Sequence, residues 1–324
     1  MSADKLPKPT RIALIGSGTI GLSFAALHLT QSPDVEVTIY DTRPDLKAYI
    51  DETLPGYLTT LSTTHALPDL LSSRRLTLAP DLPTAVSSAD IIQEQGPETP
   101  TFKQAIWPQV ETHAPAHALF WSSTSGIPAS TQTIHMRDRS RVIVVHPYNP
   151  PHIMPLLELV PSPATPPELI ERTLAYWKAL KRAPVLQKRE MTGFVANRLA
   201  YALLREAVHL VQEGVVGVAE LDAIVENSMG PRWAVAGPFK SYHMGGGKGG
   251  LRSFFDKIGG TVQACWDDQG EVGFGKGEDW EEEVFAETEE VYGSSAGLSV
   301  RERDEKTKAV LQARGEGLVP KKEG

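Results

Sequence analysis

Ile12-Ala13-Leu14-Ile15-Gly16-Ser17-Gly18-Thr19-Ile20-Gly21 joins a short apolar run to three glycines in the spacing G-x-G-x-x-G, and Ile20, Phe24 and Leu27 continue from it at helical spacing. The order is strand, turn, helix. In such a unit Gly16 makes the tight turn, Gly18 lets the backbone approach a pyrophosphate, and Gly21 allows the helix to pack closely on the strand. Free amides at the helix start then face the phosphates. A glycine turn of this kind can be purely structural, but Asp41 ends the next apolar run, Val37-Thr38-Ile39-Tyr40, twenty residues beyond Gly21. A carboxylate there accepts both ribose hydroxyls of a dinucleotide and repels a 2′-phosphate. NAD is the expected cofactor, with Gly16, Gly18, Thr19, Ile20, Gly21 and Asp41 as its ligands. Arg43 reads as a solvent-facing loop residue.

Outward from this unit, apolar runs at 11–16, 36–40, 75–78, 89–93, 118–122 and 141–146 alternate with helix-length segments. Such alternation implies right-handed crossovers and an α/β fold of Rossmann type, with a doubly wound, mainly parallel sheet covered on both faces. Thr165-Pro166-Pro167-Glu168 reads as a capping box opening a helix of about four turns. After Lys188-Arg189-Glu190 the spacing becomes helical: Leu199, Leu203, Ala207 and Leu210 share a face, and Gly214 supplies a stop. The expected division is an NAD-binding domain over 1–190 and an all-helical substrate and dimerisation domain over 191–324. Residues 231–250 read as a glycine-rich loop region. Its Gly245-Gly246-Gly247-Lys248-Gly249 lacks the Ser or Thr and the preceding strand of a phosphate loop, and so reads as a turn. Residues 278–290 read as a solvated acidic helix face, and the polar tail after Arg301 is expected to fray.

Composition narrows the function classes. The 324 residues carry 32 basic and 40 acidic side chains, a net charge of −8. No overall positive field attracts nucleic acid or anionic lipid, and neither is expected as a partner. The single cysteine, Cys265, excludes an intrachain disulfide and a cysteine-based metal site. No apolar run marks residues 1–10 as secretory, no peroxisomal Ser-Lys-Leu ends the chain, and the expected location is the cytoplasm.

Two further blocks carry chemistry. Ser122-Ser123-Thr124-Ser125-Gly126 and His146-Pro147-Tyr148-Asn149-Pro150-Pro151 each follow a candidate strand, at the sheet edge where ligands bind. Glu158, alone in the apolar run Pro155-Leu156-Leu157-Glu158-Leu159-Val160, needs a partner, and His146 at the neighbouring strand end can supply it. His28, His113, His117 and His209 show no companion pattern.

The glycine fingerprint, Glu94-Gln95-Gly96-Pro97-Glu98, the Ser-Ser-Thr-Ser block, His146-Pro147-Tyr148-Asn149-Pro150 with Glu158, and Thr192-Gly193-Phe194-Val195-Ala196-Asn197-Arg198 occur in the order and spacing of the 3-hydroxyacyl-CoA dehydrogenase family, which the chain resembles over residues 11–266. Within it the likeness is to the lambda-crystallin and L-gulonate 3-dehydrogenase branch. Gly230-Pro231-Arg232-Trp233-Ala234 and Gly237-Pro238-Phe239 also resemble carnitine dehydrogenase.

The resemblance implies NAD-dependent oxidation of the 3-hydroxyl of a small 3-hydroxy acid, L-gulonate-like, by a homodimer. It makes His146 the general base and Glu158 its orienting partner. Ser125 and Asn197 become donors to the substrate oxygen, and Glu98 and Lys103 line the cofactor side, unless those two form only an exposed ion pair. Residues 44–73 hold one base, Lys47, against four acids, a poor cradle for the phosphates of coenzyme A. Arg232 is the candidate clamp for a free carboxylate. A 3-hydroxyacyl-CoA dehydrogenase, a carnitine 3-dehydrogenase and a non-catalytic crystallin-like protein remain as alternatives.

Overall fold

The computed structural model describes residues 10–32, 34–61, 64–274, 280–293 and 299–315. Two compact units part between Asn197 and Arg198.

The first unit is built on one sheet. Its strands are β1 (Thr10–Ile15), β2 (Val35–Tyr40), β3 (Leu76–Leu78), β4 (Ile91–Glu94), β5 (Leu119–Ser122), β6 (Val142–Pro147), β7 (Leu156–Pro161) and β8 (Ala183–Leu186). They stand in the order β3-β2-β1-β4-β5-β6-β7-β8, and every pair is parallel except β6 with β7. The six expected strands are present with ends shifted by a residue or two. β7 and β8 are additional. The β7 run is buried on both faces and lacks the alternation that separates strand from helix. β8 is a four-residue edge strand containing Pro184.

Side chains alternate between two apolar layers, as strand geometry requires. Ile12 and Leu14 pack with Leu22, Phe24 and Leu27 of the helix Thr19–Gln31, while Ala13 and Ile15 belong to the layer holding Trp107 and Val110 of the helix Pro100–His113. Both faces are covered, so β1 reads as a continuous apolar run. Each such Leu, Ile or Phe contributes about 1.5–3 kcal/mol by burial. The resulting slab is a stiff platform whose carboxyl edge carries the loops after β1, β4, β5 and β6.

Three local expectations are corrected. The helix Pro167–Ala179 starts from Pro166 without a side-chain cap, because Thr165 Oγ1 accepts instead from the Ser162 amide at 2.9 Å. Residues 231–250 are mostly helical, in Met229–Val235 and Pro238–Gly245, and only the short stretch Gly246–Gly249, a turn and one 3-10 turn, resembles the expected turn region. The chain after Arg301 continues the helix Val300–Ala313 instead of fraying, with residues 316–324 outside the described ones.

The second unit contains helices and no strand among the described residues, including Gly250–Asp268 and Trp280–Tyr292. The latter is the expected acidic helix; Glu278 and Asp279 lie outside the described residues. The helix Ala196–Gln212 closes as expected near Gly214, whose φ is +65°. No helix among the described residues is long and apolar enough to cross a membrane.

Candidate active site

The β1 turn has the expected geometry. Gly16 holds φ +101°, a conformation that favours glycine. A Cβ on Gly21 would stand 2.1 Å from the Gly16 carbonyl oxygen, so the helix can lie this close only on glycine. At Gly18, beyond its own chain neighbours, no heavy atom of the described residues lies within 4 Å of a Cβ position, leaving the backbone open to approach. Thr19 and Ile20 begin the helix.

Asp41 grips this turn: Oδ2 accepts from the Ser17 amide at 2.6 Å and the Ser17 hydroxyl at 2.7 Å, and Oδ1 accepts from the Arg43 amide at 3.0 Å. Burial raises its carboxyl, but the bonds from Ser17 and Arg43 outweigh burial and hold it below the ordinary value. It stays ionised, with lone pairs left for further donors. The Arg43 side chain is not simply solvated; it pairs with Asp45 at 2.8 Å and lies over the Tyr49 ring. Gln95 Oε1, whose side-chain nitrogen donates to the Gly16 carbonyl, is a buried acceptor without a partner among the described residues. The open approach at Gly18 and the acceptors of Asp41 and Gln95 fit a dinucleotide.

Beyond β4 the structure replaces the exposed Glu98–Lys103 pair with a buried network. Lys103 is fully buried, its ammonium donating to Glu94 Oε1 at 2.8 Å and the Gly96 carbonyl at 3.2 Å, with Glu98 at 3.7 Å. Burial raises the Glu94 carboxyl more than Lys103 lowers it. Glu98 turns to the loop after β5, where Oε1 accepts from the Thr124 hydroxyl, the Ser125 amide at 2.7 Å and the Gly126 amide at 3.2 Å. Ser125 itself is exposed, and its hydroxyl has no hydrogen bond among the described residues.

His146 and Glu158 face each other in the antiparallel register of β6 and β7, and His146 Nδ1 lies 2.8 Å from Glu158 Oε2. Both are buried. The other carboxylate oxygen accepts from Gln187 Nε2 at 2.7 Å and from the amides of Val195 and Ala196 at 2.9 and 3.0 Å. Burial raises the Glu158 carboxyl, yet the bond to His146 and those from the Ala196 and Val195 amides prevail and hold it below its usual value. An ionised Glu158 needs a proton on Nδ1, which leaves Nε2 as the acceptor in the neutral ring. Nε2 makes no hydrogen bond to the described residues.

Gly193 and Phe194, with φ of +74° and +52°, form the turn that aims the start of the helix Ala196–Gln212 at Glu158. The same turn brings Asn197 Nδ2 within 2.9 Å of the Ser125 carbonyl. His146, Glu158, Ser125 and Asn197 thus belong to one unit and one hydrogen-bonded neighbourhood. Arg232 is exposed on the helix Met229–Val235 of the other unit.

Sequence reading missed Glu94 as the partner of Lys103 and Gln187 as a further side-chain donor to Glu158. Glu94 ends a strand and Lys103 lies in the next helix, so no periodic spacing links them. Gln187 follows the short edge strand and offered no signal either. His28 and His117 also have partners, in Gln93 and Asp90.

The profile of the 3-hydroxyacyl-CoA dehydrogenase NAD-binding domain matches residues 11–190, and that of the 3-hydroxyacyl-CoA dehydrogenase C-terminal domain matches residues 193–273. The chain is 34% identical over 256 residues to an L-carnitine dehydrogenase of Streptomyces griseus, covering 79% of this chain and 76% of the relative. An L-carnitine dehydrogenase of Streptomyces coelicolor is 32% identical over 305 residues, covering 94% and 95%. A 3-hydroxyacyl-CoA dehydrogenase of Gibberella moniliformis is 32% identical over 303 residues, covering 90% and 91%. Among solved structures, an NAD-dependent dismutase, 5-formyl-3-hydroxy-2-methylpyridine 4-carboxylic acid 5-dehydrogenase, superposes with a TM-score of 0.76 at 26% identity, covering 94% of this chain and 97% of that one.

Proposed function

This chain belongs to the 3-hydroxyacyl-CoA dehydrogenase family, and from that membership we propose that it oxidises the 3-hydroxyl of L-carnitine, or of a close carboxylated analogue, to the 3-oxo acid with NAD as acceptor. The observation that carries the chemistry is the buried His146–Glu158 pair with Nε2 unengaged among the described residues. Gly16, Gly18, Thr19, Ile20, Gly21 and Asp41 would hold NAD, which supplies the hydride acceptor when bound. His146 takes the hydroxyl proton at Nε2. Glu158 holds the ring in that tautomer and stabilises its charged form. The Ser125 hydroxyl and the Asn197 amide steady the substrate oxygen as its charge changes. Glu98, which holds the loop after β5, and Lys103 behind it would line the cofactor side.

A free acid is favoured over a thioester. Lys47 is the single base in residues 44–73 against four acids, and it already faces Asp51, so that segment is a poor cradle for the coenzyme A phosphates. The names of the relatives favour carnitine over the gulonate-like substrate suggested by the motifs alone. Arg232 is the proposed carboxylate clamp. The setting is the cytoplasm, and the active form is a homodimer.

The test follows NADH formation with L-carnitine, L-gulonate, 3-hydroxybutyrate and 3-hydroxybutyryl-CoA. The highest kcat/KM is expected for L-carnitine. A preference for the thioester or for gulonate overturns the substrate assignment, and no turnover of any of them overturns the reaction.

A further inference from the structure

A polar chain runs through the apolar layer between the sheet and its helices. The Tyr176 hydroxyl lies 2.7 Å from His28 Nδ1, His28 Nε2 lies 3.1 Å from Gln93 Oε1, and Gln93 Nε2 donates to Ser123 Oγ at 3.2 Å. All four residues are buried, among Phe24, Trp121 and Trp177. His28 comes from the helix that opens with the glycine turn, Gln93 from β4, Ser123 from the loop after β5, and Tyr176 from the helix Pro167–Ala179. The catalytic proposal above uses none of them.

The direction of every bond in the chain follows from the orientation of the Gln93 amide, whose oxygen faces His28 and whose nitrogen faces Ser123. Burial lowers the His28 pKa to about 4, so the ring is neutral at physiological pH, with one donor and one acceptor nitrogen. Burial raises Tyr176 well above the ordinary phenol value, so its hydroxyl keeps its proton. Gln93 Oε1 can only accept, which places the ring proton on Nε2. Nδ1 must then accept, and Tyr176 must donate. At the other end Ser123 Oγ already accepts from Gln93. Its own proton is left over, and the hydroxyl makes no second hydrogen bond among the described residues.

Ser123 directly follows β5, at the carboxyl edge, and β4 alone separates β5 from β1 and its glycine turn. In a doubly wound sheet that edge is where the dinucleotide lies. We propose that Ser123 is a hydrogen-bond donor to an acceptor oxygen of bound NAD, and that the Tyr176–His28–Gln93 chain is a positioning relay that fixes its polarity. A free serine rotor divides its time among several partners. Here the relay occupies the acceptor side and turns the proton toward the ligand edge, at no ordering cost when NAD arrives. The proposal rests on NAD binding and not on the identity of the hydroxy acid.

The experiment measures NAD affinity by titration calorimetry, without substrate, for the unaltered chain, Ser123→Ala and Ser123→Thr, alongside melting temperatures. Ser123→Ala is expected to weaken NAD about tenfold, the size of one net hydrogen bond, while Ser123→Thr stays close to the unaltered chain. Histidine-labelled protein read by 15N NMR should show His28 as the Nε2–H tautomer. Tyr176→Phe should raise the population of the other tautomer and weaken NAD in the same direction. Unchanged NAD affinity in Ser123→Ala, or an Nδ1–H tautomer in the unaltered chain, overturns the relay and leaves the dehydrogenase reading standing. Failure of the unaltered chain to bind NAD overturns both.

Discussion

His146 and Glu158 sit opposite each other on antiparallel strands, and the test of their roles lies in separating chemistry from folding. His146→Ala is expected to lower kcat by roughly 10²–10⁴, the usual contribution of a positioned acid–base group, with NAD affinity nearly constant. Unchanged turnover would remove His146 as the base. Glu158 carries a second load, because it also satisfies Gln187 and two backbone amides. Its carboxyl is held below its unfolded value, so its contribution to stability is complete above the ordinary carboxylate range and is lost as pH falls through the lowered value. Glu158→Gln should therefore lose turnover and also flatten the acid side of the plot of melting temperature against pH. A curve running parallel to that of the unaltered chain would contradict this account. Asp41→Asn should narrow the preference for NAD over NADP, measured by calorimetry with both. Tighter NADP binding by the unaltered chain would assign the 2′ position to Arg43 instead.

Among the elements, the turn between β1 and its helix separates two uses of glycine. Gly21 is packed against backbone and Gly18 against nothing. Gly21→Ala must push the helix off the strand, and a melting temperature lowered by several degrees is expected. Gly18→Ala should leave the melting temperature within about a degree or two and weaken NAD, because the added methyl occupies only the approach path. Equal effects of the two substitutions on stability would contradict the open approach at Gly18. The β6–β7 pair works differently: its register alone sets histidine against glutamate. A slip of one residue would put them on opposite faces.

At the scale of the whole molecule, the two units differ in how they are held together. The first has two full apolar layers, whereas among the described residues of the second only Val208, Val211, Trp280 and Leu311 are buried hydrophobics. Leu199, Leu204, Phe239 and Trp266 are more than half exposed. Helices this poorly covered need a further surface, and a second copy of the chain is the expected one. Sedimentation at micromolar protein should give a dimer, and a monomer would overturn this. Arg232→Ala should raise the KM for a carboxylated substrate at least tenfold while leaving NAD affinity alone. An unchanged KM would remove the clamp.

The sequence determined the sheet and the cofactor class, because strand alternation, the three glycines and Asp41 act over short distances that spacing alone reports. It placed six strands to within a residue or two and singled out His146 and Glu158 as a pair. It could not show that β7 runs antiparallel or that β8 exists, since a buried run without alternation and a four-residue edge strand leave no periodic signal. It read Glu98 and Lys103 as an exposed pair in one alternative, where the fold buries Lys103 against Glu94. His28 looked solitary in the chain because its partners lie 65 and 148 residues away. Hydrogen bonds between side chains on different strands and helices follow from packing, and only the tertiary structure decides packing at that range.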